Sequence, residues 1–204
     1  MSAREAIRRC HSGEGAPCYV HAASVPPELA GDISTPASND RDIRSFLWIS
    51  RADHVTPTHF DSSPNVLAQI VGSKTLVLFA PDQFDNLYVH GCDHRYARHS
   101  QVFDLEGVDL ERHPRIAQLT GHVAELGPGE ALYIPNFWWH CAYSRSFSVS
   151  INTWWNDEPF DGFVDIIERW ADLRADLFAA LPEAMPIRYK AYLSRVLLFA
   201  DLGR

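Results

Sequence analysis

The chain has 204 residues, the size of one domain or a domain with an appendage, and 46% hydrophobic residues with 12% aromatics suffice for a core. A net charge of −8 argues against general nucleic-acid binding, which needs a basic face, although residues 94–99 (HRYARH) are locally cationic. Cys10, Cys18, Cys92 and Cys141 show no C-x-x-C spacing, the N-terminus has no apolar leader, and no run nears the roughly 18 apolar residues of a membrane span, so the expectation is a cytoplasmic protein with reduced thiols.

Residues 1–45 are rich in Pro, Ala, Ser and Asp and read as an irregular arm with room for one short helix. Strand-like runs begin at 46–50 (FLWIS). Residues 65–81 read as two strands joined by a tight turn at Gly72-Ser73. Pro81 suits the first position of a single helical turn over 81–88. Residues 89–122 form a polar, His-rich excursion of the kind that often carries function. Strands resume over 122–135, broken by Gly-Pro-Gly, and over 138–144 and 147–155, where the Arg145-Ser146 link suits a hairpin. After Trp155 the apolar period becomes helical: Phe163, Ile166, Ile167, Trp170, Leu173 and Leu177 mark one amphipathic helix over 160–181, and 186–202 a second. The expected fold is mainly β, a barrel or sandwich in a single domain over 1–204: arm 1–45, barrel core 46–155, and a helical pair over 156–204.

The stretch 56–65, TPTHFDSSPN, carries the chemistry. Residues two apart in a strand share a face, so His59 and Asp61 point together, and buried without a partner such a pair is costly. A shared metal ion resolves that cost; a solvated surface pair is the bland alternative. His140, opening a later strand, is the candidate third ligand. Two histidines and one carboxylate leave positions open on an octahedral ion, the arrangement of non-haem Fe(II) oxygenases. Lys74 shares a strand face with Leu76 and Leu78, where a lysine calls for an anion unless its ammonium reaches water.

The runs over 56–88, SQVFDLEGVDLERHP, LGPGEALYIPNFWWH and SVSINTWW resemble the JmjC-type, cupin-like 2-oxoglutarate oxygenases. The similarity is greatest to the small hydroxylase branch that includes the asparaginyl hydroxylase of hypoxia-inducible factor, and it covers 46–155 with a weaker stretch at 18–33. The resemblance implies a double-stranded β-helix, or jelly-roll, with Fe(II), 2-oxoglutarate and O2 as cofactor and co-substrates. It implies that His59, Asp61 and His140 hold the metal and act in catalysis. Thr56, Asn65, Lys74, Tyr19 and Asn152 then hold 2-oxoglutarate, with Lys74 on its far carboxylate, and Trp48 and Trp154 line the pocket. The implied reaction is hydroxylation of a side chain on a peptide or protein, with a small molecule or a free or carrier-bound amino acid as the alternative substrate. A non-oxygenase metal cupin and a non-catalytic binding barrel are the readings from other classes. The remaining histidines of the excursion (His90, His94, His99, His113) are expected to be solvated, Trp138, Trp139 and Trp155 to pack, and the C-terminal helices to form a homodimer.

Overall fold

The computed structural model describes residues 3–12, 18–31, 43–92, 94–155, 185, 186, 188–190, 192 and 193. The elements in order are α1 (Ala3–Ser12), β1 (Tyr19–Ser24), α2 (Pro27–Ala30), β2 (Arg44–Ser50), β3 (Val55–Phe60), β4 (Asn65–Val71), β5 (Lys74–Phe79), β6 (His122–Leu126), β7 (Ala131–Ile134), β8 (Trp139–Ser144) and β9 (Ser148–Trp154). Short 3₁₀ turns occupy Pro81–Asn86 and Pro114–Gln118, the first at the position Pro81 marks in the sequence. All strand pairs are antiparallel, in a five-stranded sheet ordered β1-β2-β9-β4-β7 and a four-stranded sheet ordered β3-β8-β5-β6.

The two sheets face each other across an apolar core. Leu67 and Ile134 come from one sheet, and Leu76, Leu78, Leu126 and Ala142 from the other. This is the barrel or sandwich expected from the strand-like runs, in the jelly-roll form that the family resemblance implies. The short links, however, do not make hairpins. Gly72-Ser73, Gly127–Glu130 and Arg145–Phe147 each carry the chain from one sheet to the other, so β4 and β5, β6 and β7, and β8 and β9 are never neighbours. Gly72 is required at its crossover. Its φ is +71°, and a Cβ there would stand 1.9 Å from the carbonyl oxygen of Phe147.

The arm is more regular than its composition suggests. Strand β1 adds an edge to the five-stranded sheet, with Tyr19 opposite Ser50, and α1 packs Cys10 against Cys18 and Ile49. All four cysteines are free thiols.

A second apolar cluster covers the outer face of the four-stranded sheet. Phe60, Phe79 and Trp139 pack there with Leu87, Phe137, Met185, Tyr189 and Leu193. Strand β8 is therefore buried at every position from Trp139 to Ser144. Of the two expected C-terminal helices, the first lies outside the described residues. From the second, Arg188–Lys190, Tyr192 and Leu193 are helical. Tyr192, on one of the helices expected to dimerise, packs on Phe84 and its hydroxyl donates to the His90 carbonyl, so this ring faces its own barrel. No helix among the described residues is long and apolar enough to cross a membrane.

Candidate metal centre

Strands β3 and β8 pair so that His59 stands directly opposite His140, with ring centroids 4.3 Å apart. Asp61 follows one residue past the end of β3. Ligand atoms from the three side chains all lie within 4.8 Å of one another. Both imidazoles are oriented by the same device. Nδ1 of His59 lies 2.8 Å from the Pro57 carbonyl, and Nδ1 of His140 lies 3.0 Å from the Trp138 carbonyl. A carbonyl only accepts, so each Nδ1 carries the proton and donates it, which leaves each Nε2 lone pair free. Burial, helped by the neighbouring His140 and opposed by Asp61, pushes His59 down to about 4. A neutral imidazole is what a metal requires.

The Asp61 carboxylate is fixed by two donors on Oδ2: the Trp154 indole N–H at 3.0 Å and the Asn65 amide at 3.2 Å. Asn65 in turn accepts a 2.8 Å hydrogen bond from Asn152. Its main chain is held as firmly, since the Phe137 N–H donates to the Asp61 carbonyl at 2.8 Å. The donor set, two Nε2 atoms and one oriented carboxylate converging on one point, fits a divalent metal with open positions.

These groups open onto a cavity of about 490 Å³ between the sheets. Tyr19, Trp48, Thr56, Lys74, Asn152 and Trp154 line it together with the three candidate ligands. Asn65 does not. It is fully buried behind Asp61, and its amide group is spent on Asp61 and Asn152, so the structure places it as a support for the carboxylate rather than on the cavity wall.

Lys74 points inward, as its alternation with Leu76 and Leu78 requires, and is 6% exposed. Its ammonium donates to Ser150 Oγ at 2.6 Å. Among the described residues no carboxylate stands within ion-pair distance of it, and burial pulls it down to about 8. Tyr19 stacks on His54 with centroids 3.9 Å apart, and burial raises its phenol to about 12 against an opposing hydrogen bond with Thr56.

Sequence reasoning missed several residues of the site. Ser150 shares the inward face of β9 with Asn152 and Trp154, so alternation alone would have found it. His54, Phe103 and His99 line the cavity, and no periodic signal marks them. His99 departs from the expected solvated loop. It bridges to His59 in the backbone and stacks on its ring at 5.4 Å. Trp139 is a fully buried core residue, and Cys141 faces away from the site, both as their strand positions predict.

Over residues 16–161 the chain matches the cupin-like domain family. It is 36% identical over 138 residues to Jumonji C domain-containing protein 5 of Drosophila melanogaster, covering 63% of this chain and 33% of that protein. It is 38% identical over 135 residues to lysine-specific demethylase JMJ30 of Arabidopsis thaliana, covering 64% of this chain and 31% of that one. Similarity to tRNA wybutosine-synthesizing protein 5 of Danio rerio is 31% over 139 residues, 67% of this chain and 41% of that one. The matched stretch thus spans a third to two-fifths of these relatives' own length. With both sheets and the metal-ligating triad inside the matched span, the chain belongs to the cupin-like domain family and has JmjC-domain proteins among its relatives.

Proposed function

We propose that the protein is an Fe(II)- and 2-oxoglutarate-dependent oxygenase that hydroxylates a side chain of a peptide or protein. The observation that carries this reading is one cavity with a three-ligand metal centre and a buried lysine that has no carboxylate partner among the described residues. Lys74 pairs with Ser144 on β8, while His140 lies opposite Leu78. The two positions are therefore about 13 Å apart along the strands at roughly 3.3 Å per residue. A lysine side chain and a five-carbon dicarboxylate fill such a span together.

Each side chain then has a role. His59, Asp61 and His140 hold the iron, with Asn65 and Trp154 keeping the carboxylate in place. Lys74, oriented by Ser150, pairs with the far carboxylate of 2-oxoglutarate, and Thr56 and Tyr19 offer hydroxyl donors beside it. Leu67, Leu76 and Ile134 keep water from the reacting groups. Iron and 2-oxoglutarate, when bound, supply the oxidising chemistry in which O2 converts 2-oxoglutarate to succinate and CO2 while the substrate gains a hydroxyl. The relative named for tRNA modification brings a nucleic-acid substrate into view, and a net charge of −8 weighs against it here.

The test is succinate formation from 2-oxoglutarate by protein loaded anaerobically with Fe(II) and then exposed to air, wild type beside His140→Ala. Slow turnover by the wild type alone is the expected result. Absence of both turnover and 2-oxoglutarate binding in the metal-loaded wild type would overturn the reading in favour of a cupin enzyme using another metal without this co-substrate.

A further inference from the structure

The metal ligands have a back side, and among the residues of the C-terminal segment that pack there Tyr189 touches the neighbours of the ligands. Phe60 lies between His59 and Asp61 in sequence, and Trp139 lies next to His140. Alternation turns both rings away from the cavity, into the outer cluster. Tyr189 meets each of them there, with centroids 6.0 Å from Phe60 and 5.7 Å from Trp139, and it is fully buried.

Its hydroxyl does more than fill space. It donates at 3.0 Å to the carbonyl of Phe137. Phe137 sits at φ +61°, in the left-handed region that a bulky residue rarely adopts, and is fully buried. It occupies the third position of the turn from Pro135 to Trp138, which closes with a hydrogen bond from the Trp138 N–H to the Pro135 carbonyl. That position favours glycine. A strained peptide of this kind persists only where its surroundings over-determine it. Here both ends of Phe137 are tied: its N–H to the Asp61 carbonyl, its carbonyl to Tyr189. The next carbonyl in the turn, that of Trp138, orients the His140 ring.

We infer that Tyr189 is a positioning residue for the metal centre, holding the Pro135–Trp138 turn so that Asp61 and His140 keep their ligating geometry. The inference rests on the metal-centre reading above. It makes the C-terminal segment part of that centre even though none of its described residues lines the cavity.

Cobalt(II), a spectroscopically visible divalent ion, is the probe, added to the wild-type 204-residue chain, Tyr189→Phe and Tyr192→Phe. Tyr192 is the control, because its hydroxyl donates to the His90 carbonyl in the same cluster but touches no part of the turn. The expected result is cobalt bound about tenfold more weakly by Tyr189→Phe, the lower end of what lost support to a ligand costs. Its d–d spectrum at saturation is expected to be altered, with Tyr192→Phe like wild type on both counts. Wild-type affinity and spectrum in Tyr189→Phe overturn the inference, as does equal weakening in both variants. Failure of the wild type to bind cobalt overturns the metal centre itself. The coupling is reciprocal, so the wild type alone gives a second reading. Cobalt saturation is expected to slow hydrogen exchange over residues 188–193, and unchanged exchange there counts against the inference even if Tyr189→Phe does not fold.

Discussion

The metal end and the Lys74 end of the cavity are built on opposite plans. At the metal end every ligand is braced by the protein: two imidazoles by backbone carbonyls, one carboxylate by an indole and an amide, and its main chain by Phe137. At the other end a buried ammonium has one serine hydroxyl and no counter-charge among the described residues. One end is finished before anything binds. The other carries an electrostatic deficit that a carboxylate ligand removes, so its energetics belong to the complex rather than to the empty protein.

The contrast is broken most sharply by removing a ligand. His140→Ala is expected to weaken divalent-metal binding by more than about a hundredfold, beyond the loss typical of supporting residues, and to abolish succinate formation. Calorimetric metal titration beside the turnover assay checks both.

Lys74→Met makes the opposite kind of change. Half-saturation by 2-oxoglutarate is expected to rise by about a hundredfold, as losing a buried charge pair of about 3 kcal/mol implies. The ligand-free protein, by contrast, gains stability. Because burial has lowered the folded-state value of Lys74 to about 8 from an ordinary 10.5, the cost of its charge is fully present below pH 8 and fades as pH rises toward 10.5. The shift corresponds to about 3 kcal/mol. Thermal melts at pH 7 and pH 10 should thus show Lys74→Met ahead of wild type at the lower pH and level with it at the higher. A variant less stable than wild type at pH 7 would contradict this.

The same titration acts on the co-substrate. The carboxylate pairs with the protonated lysine, so wild-type affinity for 2-oxoglutarate is expected to fall by about tenfold between pH 7 and pH 9, and to be flat over that range in Lys74→Met. The smallest expected effect is at Trp154. Trp154→Phe keeps a ring on the wall and removes one of the two donors to Asp61, so metal affinity should drop by about tenfold or less, with 2-oxoglutarate half-saturation unchanged once metal is saturating.

Period-two alternation made much of this site legible. It put His59 and Asp61 on one face, Lys74 with Leu76 and Leu78, and Cys141 on the side opposite His140. It was silent on which strand lies beside which. The three short links read as tight turns between paired strands because a turn's residues specify a bend, not a partner; only the pairing of β9 with β2 and β4, far off in sequence, shows that they cross between sheets. Strand β1 was hidden for a related reason. As an edge strand with an irregular burial pattern, YVHAAS carries no periodic signature, and Tyr19 was reached only through the family resemblance. The co-substrate role expected of Asn65 came from the family resemblance, and nothing in the sequence marks that Asp61 and Asn152 engage its amide.

The crossover links also govern how the chain assembles. Strand β9 lies at the centre of the five-stranded sheet, between β2 and β4, yet it follows all the other described strands in chain order. Until residues 148–154 emerge, β2 and β4 lack the strand that separates and joins them, and their open edges are templates for misassociation. Closure then depends on contacts between distant parts of the chain, the topology that makes for slow folding. A chain truncated before residue 148 would keep His59, Asp61 and His140 and still have no barrel to hold them.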